Sequence, residues 1–238
     1  MDCYINMIRR KFIAVKGGRS SAACPGWHLT CRIQRLILSE HSLNEIFPLM
    51  SRPLSEDKRQ AILVSAAEMI AALGIGASTA KIAKAANVAE GTLFTYFATK
   101  DDLLNQLFLE IETDLSETLL ASPPTASDPC ERVRQIWNWL INWGLANPIW
   151  WKTKRQLKVS NRIRADILRR CDVQFREARE IVEQSLSGHC DPARTSFYID
   201  IVLLGLAEIT MDTITANPKD HEHFKQAAFD LFWKGSAV

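Results

Sequence analysis

The sequence predicts an all-α protein in two parts, a three-helix head that carries a helix-turn-helix and a larger helical body. Three observations carry that expectation. The stretch Ser78–Phe97 reads as two short helices separated by a tight break. From Asp102 to Trp233, apolar residues recur at spacings of three and four, interrupted by Asp-Pro and Asn-Pro pairs that start and stop helices. A length of 238 residues, 47% hydrophobic and 24% charged, fits a small reading domain joined to one larger helical domain.

Residues 1–54 read differently from the rest. Residues 1–49 hold Cys3, Cys24 and Cys31, the pair Gly17-Gly18, and seven Lys/Arg against three acids. The expectation is an upstream extension, disordered or a misassigned start, with Met50 as the true beginning. The alternative is a basic arm that contacts DNA.

The head spans residues 55–101. Glu56–Leu73 is its first helix, with Ile62, Leu63, Ala66, Met69 and Ile70 at helical spacing, and it ends at Gly74-Ile75-Gly76. Ser78 is the N-cap of a second helix that turns Ile82, Ala83 and Ala86 to one face. Asn87 tolerates the geometry that ends it, and Val88 follows as a buried hinge. Glu90–Phe97 forms the third helix, with Leu93 and Phe97 inward, four residues apart. Alanines at 80, 83, 85 and 86 let two helices cross closely, and the second of such a pair enters a DNA major groove. Thr99 then caps a further helix, with Asp102 as its capping-box partner.

The run Arg59–Leu107 resembles the tetracycline-repressor (TetR) family of bacterial transcriptional regulators. The resemblance is carried by Ala61–Leu63 and Ser65–Gly74, the glycine-serine-threonine turn, IAKAANVAEGTLFTYF at 82–97 and TKDDLL at 99–104. It implies a TetR-like fold, with DNA contacts at Thr79, Gly91, Thr92, Phe94, Thr95, Tyr96 and Lys100. Thr92, Thr95 and Tyr96 would reach base edges, while Thr79, Phe94 and Lys100 would meet phosphates. Leu93 is core by the same spacing. Two positions depart from the family pattern. Ala89 stands where a Ser or Thr usually caps the recognition helix, a loss of about 0.5–2 kcal/mol. Glu90 stands where a basic residue is common; it suits the positive end of the helix dipole but repels phosphate. Net charge is only +2 over the chain, and Ser55–Leu104 holds five cations against six acids, so the usual basic footprint is weak.

The body spans residues 102–238. Leu103, Leu104, Leu107, Phe108, Ile111 and Leu115 mark a helix that leaves the head; in the TetR family this helix links the ligand pocket to the DNA head. Ala121–Ser127 is a loop, and Asp128 with Pro129 and Glu131 starts the next helix. Trp137, Trp139, Trp143, Trp150 and Trp151 place five of seven tryptophans within fifteen positions. Two readings stand for this cluster. One is aromatic core packing. The other is a pocket for a hydrophobic or flat effector, lined by Trp137, Trp143, Trp150, Trp151, Phe108 and Ile111. Lys152, Lys154 and Arg155 beyond them suit an anionic ligand or a solvated face.

Ile163–Leu186 reads as one helix ending at Gly188. Asp191-Pro192 opens another over Ala193–Ala216, charge-poor enough that most of its circumference must be buried. Asn217-Pro218 ends it, and His223–Trp233 is the last helix. The resemblance implies that 193–216 and 223–233 pair with a second copy as a four-helix bundle; composition alone also allows a monomeric core. Asp200, Glu208 and Asp212 fit either a cationic-ligand pocket or the rim of such an interface.

No nucleophile–base pair or metal-spaced cluster supports an enzyme; His221 and His223 lie on different helix faces. No catalytic residue, metal or cofactor is implied. Cys130, Cys171 and Cys190, like the three earlier cysteines, read as reduced thiols. No apolar run reaches the length of a membrane span, and the cytoplasm is the expected compartment. The expected function is a ligand-responsive DNA-binding regulator, a repressor acting as a homodimer on a palindromic operator and released by a small effector. The alternative is a helical ligand-binding or protein-interaction module without specific DNA binding.

Overall fold

The computed structural model describes residues 54–238, so the expectations for residues 1–49 and for Met50 as the start lie outside the described residues. Every regular element among the described residues is helical. Helix α1 (Glu56–Leu73) has the bounds its apolar period predicts. The Ser55 hydroxyl accepts from the Lys58 N–H at 3.4 Å, and Glu56 and Asp57 occupy the positive end of the dipole. Ile62, Leu63, Ala66, Ala67 and Ile70 are fully buried. The helix stops at Gly74, whose φ of +81° would strain any residue with a side chain.

Helices α2 (Thr79–Ala85) and α3 (Glu90–Tyr96) follow, separated by a turn in which Asn87 takes a φ of +55°. Asparagine is among the few residues that reach this left-handed region at small cost. Val88 is half-buried rather than enclosed, because the turn runs over the surface with Asn87 and Ala89 exposed on either side. α4 (Lys100–Leu120) begins at Thr99, whose hydroxyl accepts from the Asp102 N–H at 3.0 Å. The Asp102 carboxylate bonds back to that hydroxyl at 2.8 Å instead of to the backbone N–H of a full capping box. With 21 residues α4 is about 30 Å long and runs from head into body.

In α5 (Pro129–Ala146) the Asp128 carboxylate accepts from the Glu131 N–H at 2.9 Å, as the Asp-Pro signal predicts. α6 (Pro148–Lys158) starts after the break at Asn147. The single helix expected over Ile163–Leu186 is instead two, α7 (Ala165–Gln174) and α8 (Arg176–Leu186), divided at Phe175. The cause is docking. α7 packs on α4, where Gln174 donates to the Thr113 hydroxyl at 2.8 Å, whereas α8 packs on α5. One straight helix cannot follow both neighbours, and the apolar spacing continues unchanged across the break.

The helical run after Asp191 starts as a 3₁₀ turn at Pro192–Arg194, widens to a π-segment at Tyr198–Leu203, and becomes α9 (Leu204–Ala216). The last helix, α10 (His221–Ser236), outruns its expected bounds at both ends. The expected burial of most of the run is not met among the described residues. Phe197, Ile201 and Ile209 are 54%, 61% and 65% exposed, and Leu231 of α10 is 64% exposed. α5 is the body's central element, packed against α4, α6, α8, α9 and α10. The Trp137 indole N–H donates to the Lys225 carbonyl on α10 at 3.1 Å, and Gly144 leaves the space that Met211 of α9 fills. α6 lies against α1, where the buried Thr153 hydroxyl donates to the Ala67 carbonyl at 2.9 Å.

Candidate nucleic-acid interface

The local sequence makes α2 and α3 short and fixes their crossing. Ser78 caps α2 by accepting from the Lys81 N–H at 3.3 Å, while Ala89 gives α3 no side-chain cap. Leu93 and Phe97 anchor the inner side of α3, at 0% and 3% exposure. Its outer side is open. Gly91, Phe94 and Thr95 are exposed, Thr92 is half-buried, and a Cβ added at Gly91 would meet nothing within 4 Å. Phe94 is an apolar ring left 42% exposed among polar neighbours. The Thr95 hydroxyl donates to the Gly91 carbonyl at 3.0 Å, so its methyl and oxygen lone pairs are what a partner would meet.

The other three expected contacts already hold bonds. Tyr96 is half-buried and its hydroxyl accepts from the Ser55 N–H at 3.0 Å, which ties α3 to the start of α1. Lys100 donates to the Ile75 carbonyl at 2.7 Å and so ties α4 to the turn after α1. Burial holds the Lys100 ammonium below the ordinary lysine range, the Arg162 charge adds to this, and Asp101 opposes it. A phenol that accepts retains its proton to donate, and an ammonium with one bond made retains two further N–H groups, so each residue keeps a donor. The Thr79 hydroxyl donates to Glu90 Oε1 at 2.6 Å. Glu90 is exposed and pairs with no cation among the described residues. Sequence reasoning gave Glu90 a favourable place on the helix dipole and a repulsive one toward phosphate, and missed that it is held in place by Thr79. The available signal was that Thr79 and Glu90 each open one of two crossing helices.

The residues expected to line an effector pocket are buried: Ile111 at 0%, Trp137 at 1%, Phe108 at 3%, Trp143 at 4%, and Trp150 and Trp151 at 8%. Trp137 belongs to the α10 side, its ring 6.2 Å from that of Phe229. Trp143 and Trp151 meet edge-on at 6.4 Å, and the Trp143 indole donates to Asp114 at 2.9 Å. The Trp151 indole N–H and the Gln174 carbonyl oxygen are buried without a partner among the described residues. Beside Trp151, Lys154 pairs with Glu112 at 3.0 Å, both side chains largely buried. Burial, with Glu112 nearby, pushes the Cys171 thiol up to about 12. Arg155 bonds Asp212 at 2.7 Å and lies 3.6 Å from Glu208, and Arg179 bonds Asp200 at 2.6 Å. Of the three basic residues after the tryptophans, only Lys152 is an exposed one. Among the described residues no His, Cys, Asp or Glu group is arranged to hold a metal, and no helix is long and apolar enough to cross a membrane.

A capped two-helix unit with an open outer face, carried on a helical body, defines the class of helix-turn-helix proteins. Residues 62–107 match the family model described as bacterial regulatory proteins, tetR family. Among solved structures, the fold is similar to a tetR family transcription regulator from Shewanella sp. PV-4, at 28% identity and a TM-score of 0.68, covering 76% of this chain and 98% of that one. It is also similar to FadR from Bacillus subtilis, solved in complex with stearoyl-CoA, at 20% identity and a TM-score of 0.57, over 74% and 98% of the two chains. LfrR from Mycobacterium smegmatis, solved in complex with proflavine, aligns at 17% identity and a TM-score of 0.58, over 77% and 99%. Residues 62–107 thus carry the DNA-binding domain of the tetR family, and the chain shares the fold of these transcription regulators.

Proposed function

We propose that the protein is a ligand-responsive repressor that binds a palindromic operator as a dimer and leaves it when a small hydrophobic or aromatic effector binds the body. Residues 55–101 read DNA, and residues 102–238 dimerise and bind the effector. The observation that carries the proposal is the outer face of α3: Gly91, Phe94 and Thr95 are presented to solvent while Leu93 and Phe97 hold the helix rigidly from behind. In this reading Thr92 and Thr95 meet base edges and Phe94 packs on the DNA backbone. In place of the base edge expected for it, Tyr96, tethered to α1, donates to a phosphate in this reading, as does Lys100, tethered to the turn after α1, and together they set the docking angle.

Exposed Phe197, Ile201, Ile209 and Leu231 support dimerisation through residues 193–216 and 223–233, because apolar residues this exposed on adjacent helices favour a second copy. The ligands of FadR and LfrR support an effector with a large apolar or aromatic part. Its site would open around Trp143 and Trp151, where the unpaired indole N–H of Trp151 is available to a ligand acceptor. α6 carries Trp151 and also Thr153, which bonds α1, so a ligand that favours a shifted α6 lowers DNA affinity by its differential affinity for the two states. The near-neutral head favours the rival reading, a ligand-binding module without specific DNA binding.

The test is enrichment of genomic fragments by the full-length purified protein, followed by gel shifts at two salt concentrations. The expected result is one palindromic site, lost in a Phe94→Ala/Thr95→Ala variant that keeps its melting temperature. Equal binding to every fragment, or none at low salt, would establish the rival instead.

A further inference from the structure

We propose that Glu90 reads the amino group of a cytosine in the major groove and is a specificity-determining residue of α3. The proposal rests on the DNA-binding reading above. Four observations lead to it. Glu90 is the first residue of α3, and the N-terminal residues of a recognition helix are the ones that meet base edges. Its flanks are small: Ala89 before it and Gly91 after it, the latter with open space around its Cα, so the start of the helix can approach the bases closely. Its carboxylate is oriented, because the Thr79 hydroxyl donates to Oε1 at 2.6 Å, the length of a charge-assisted bond. Its charge is not neutralised by any lysine or arginine among the described residues, and its second oxygen has no partner there.

A fixed, unpaired carboxylate on a surface that faces DNA is repelled by phosphate, and only a donor on a base edge offsets that cost. The chemistry of the groove narrows the choice. Guanine and thymine show a carboxylate only acceptors. Adenine places its N7 acceptor beside its N6 donor, a pattern that an amide matches and a carboxylate does not. Cytosine shows the N4 amine alone. Thr79 is then a positioning residue, holding one carboxylate oxygen so that the other meets the amine.

The experiment is selection from a pool of randomised duplexes with the full-length protein and three variants, read by sequencing. The wild type should enrich cytosine at one position in each half-site, by about tenfold over other bases. Glu90→Ala should reduce that preference below about twofold while the other positions keep theirs, which also shows that the head is folded. Glu90→Gln should move the same position toward adenine. Thr79→Val should weaken the cytosine preference, with any loss of a phosphate contact lowering affinity for all duplexes alike and the base preferences at the other positions kept. If Glu90→Ala keeps every base preference and binds all duplexes more tightly by one common factor, the carboxylate only repels phosphate and the proposal fails. If the wild type enriches no sequence, the DNA-reading function fails and takes this assignment with it.

Discussion

Helices α3 and α6 are both short, yet the chain treats their side chains in opposite ways. α6 buries Trp150, Trp151, Thr153 and Leu157, and it pairs Lys154 and Arg155 with acids on α4 and α9. Among the described residues, α3 buries Leu93 alone and leaves Gly91, Phe94 and Thr95 facing outward without a partner side chain. One helix is completed by its own chain. The other is held rigidly and left incomplete on its outer side, which is how a surface meant for a partner differs from a structural one. Substitutions on α6 should therefore be read in stability, and those on α3 in binding.

The largest effect should come from the Lys154–Glu112 pair. Lys154→Met strands a carboxylate that is only 7% exposed, and should cost about 3–5 kcal/mol in urea denaturation. The double replacement Lys154→Met/Glu112→Leu should recover most of that loss, since no buried charge remains. With Glu112→Leu alone measured as the fourth protein of the cycle, losses that simply add would show that the two side chains are not coupled.

The same interior sets an alkaline limit. Burial raises the Cys171 thiol from its ordinary 9.0 to about 12, so its folded pKa lies above its unfolded one. For that order, the thiol's contribution to stability is complete below pH 9 and is lost as the pH rises toward 12. Cys171→Ala should therefore flatten the fall in melting temperature over that window. Iodoacetamide at pH 8 should leave Cys171 unmodified in the folded protein, as mass spectrometry of its peptide would show.

A smaller effect belongs to the link between head and body. Thr153→Val removes the bond to the Ala67 carbonyl in the middle of α1 and should cost about 1–3 kcal/mol, because that buried acceptor loses its side-chain partner. Hydrogen exchange should localise the loosening to α1 and α6. If exchange rises evenly over the molecule, Thr153 contributes general stability and no specific coupling of body to head.

These contrasts were unequally readable in the sequence, for a physical reason. Caps are local chemistry, and Ser78, Thr99, Asp128 and Asp191 each accept the bond their position predicts. The break at Phe175 is not local: apolar spacing runs through it, and only the different docking partners of α7 and α8 produce it. The bonds from Thr79 to Glu90 and from Ser55 to Tyr96 depend on how helices cross, and periodicity does not specify that. The tryptophan cluster was ambiguous because composition cannot separate packed rings from a pocket wall. In the structure Trp137 and Trp143 are both packed, but on different neighbours, and Trp151 keeps a buried indole N–H without a partner among the described residues.

Gly91→Ala is the smallest change and the sharpest test of the contrast. Gly91 lies within α3, where alanine is favoured over glycine by about 0.8–1.0 kcal/mol, and the added methyl meets no atom within 4 Å. The folded protein should therefore be as stable as the wild type, or slightly more so, in thermal melts. If α3 enters the groove with its first turn against the bases, the same methyl occupies space the DNA needs, and operator affinity should fall by about tenfold, roughly 1.4 kcal/mol. A stabilised variant with weakened binding separates the two uses of helix surface within one residue. Unchanged binding would mean that the start of α3 does not approach the bases, and that the open face around Phe94 and Thr95 meets its partner from another direction.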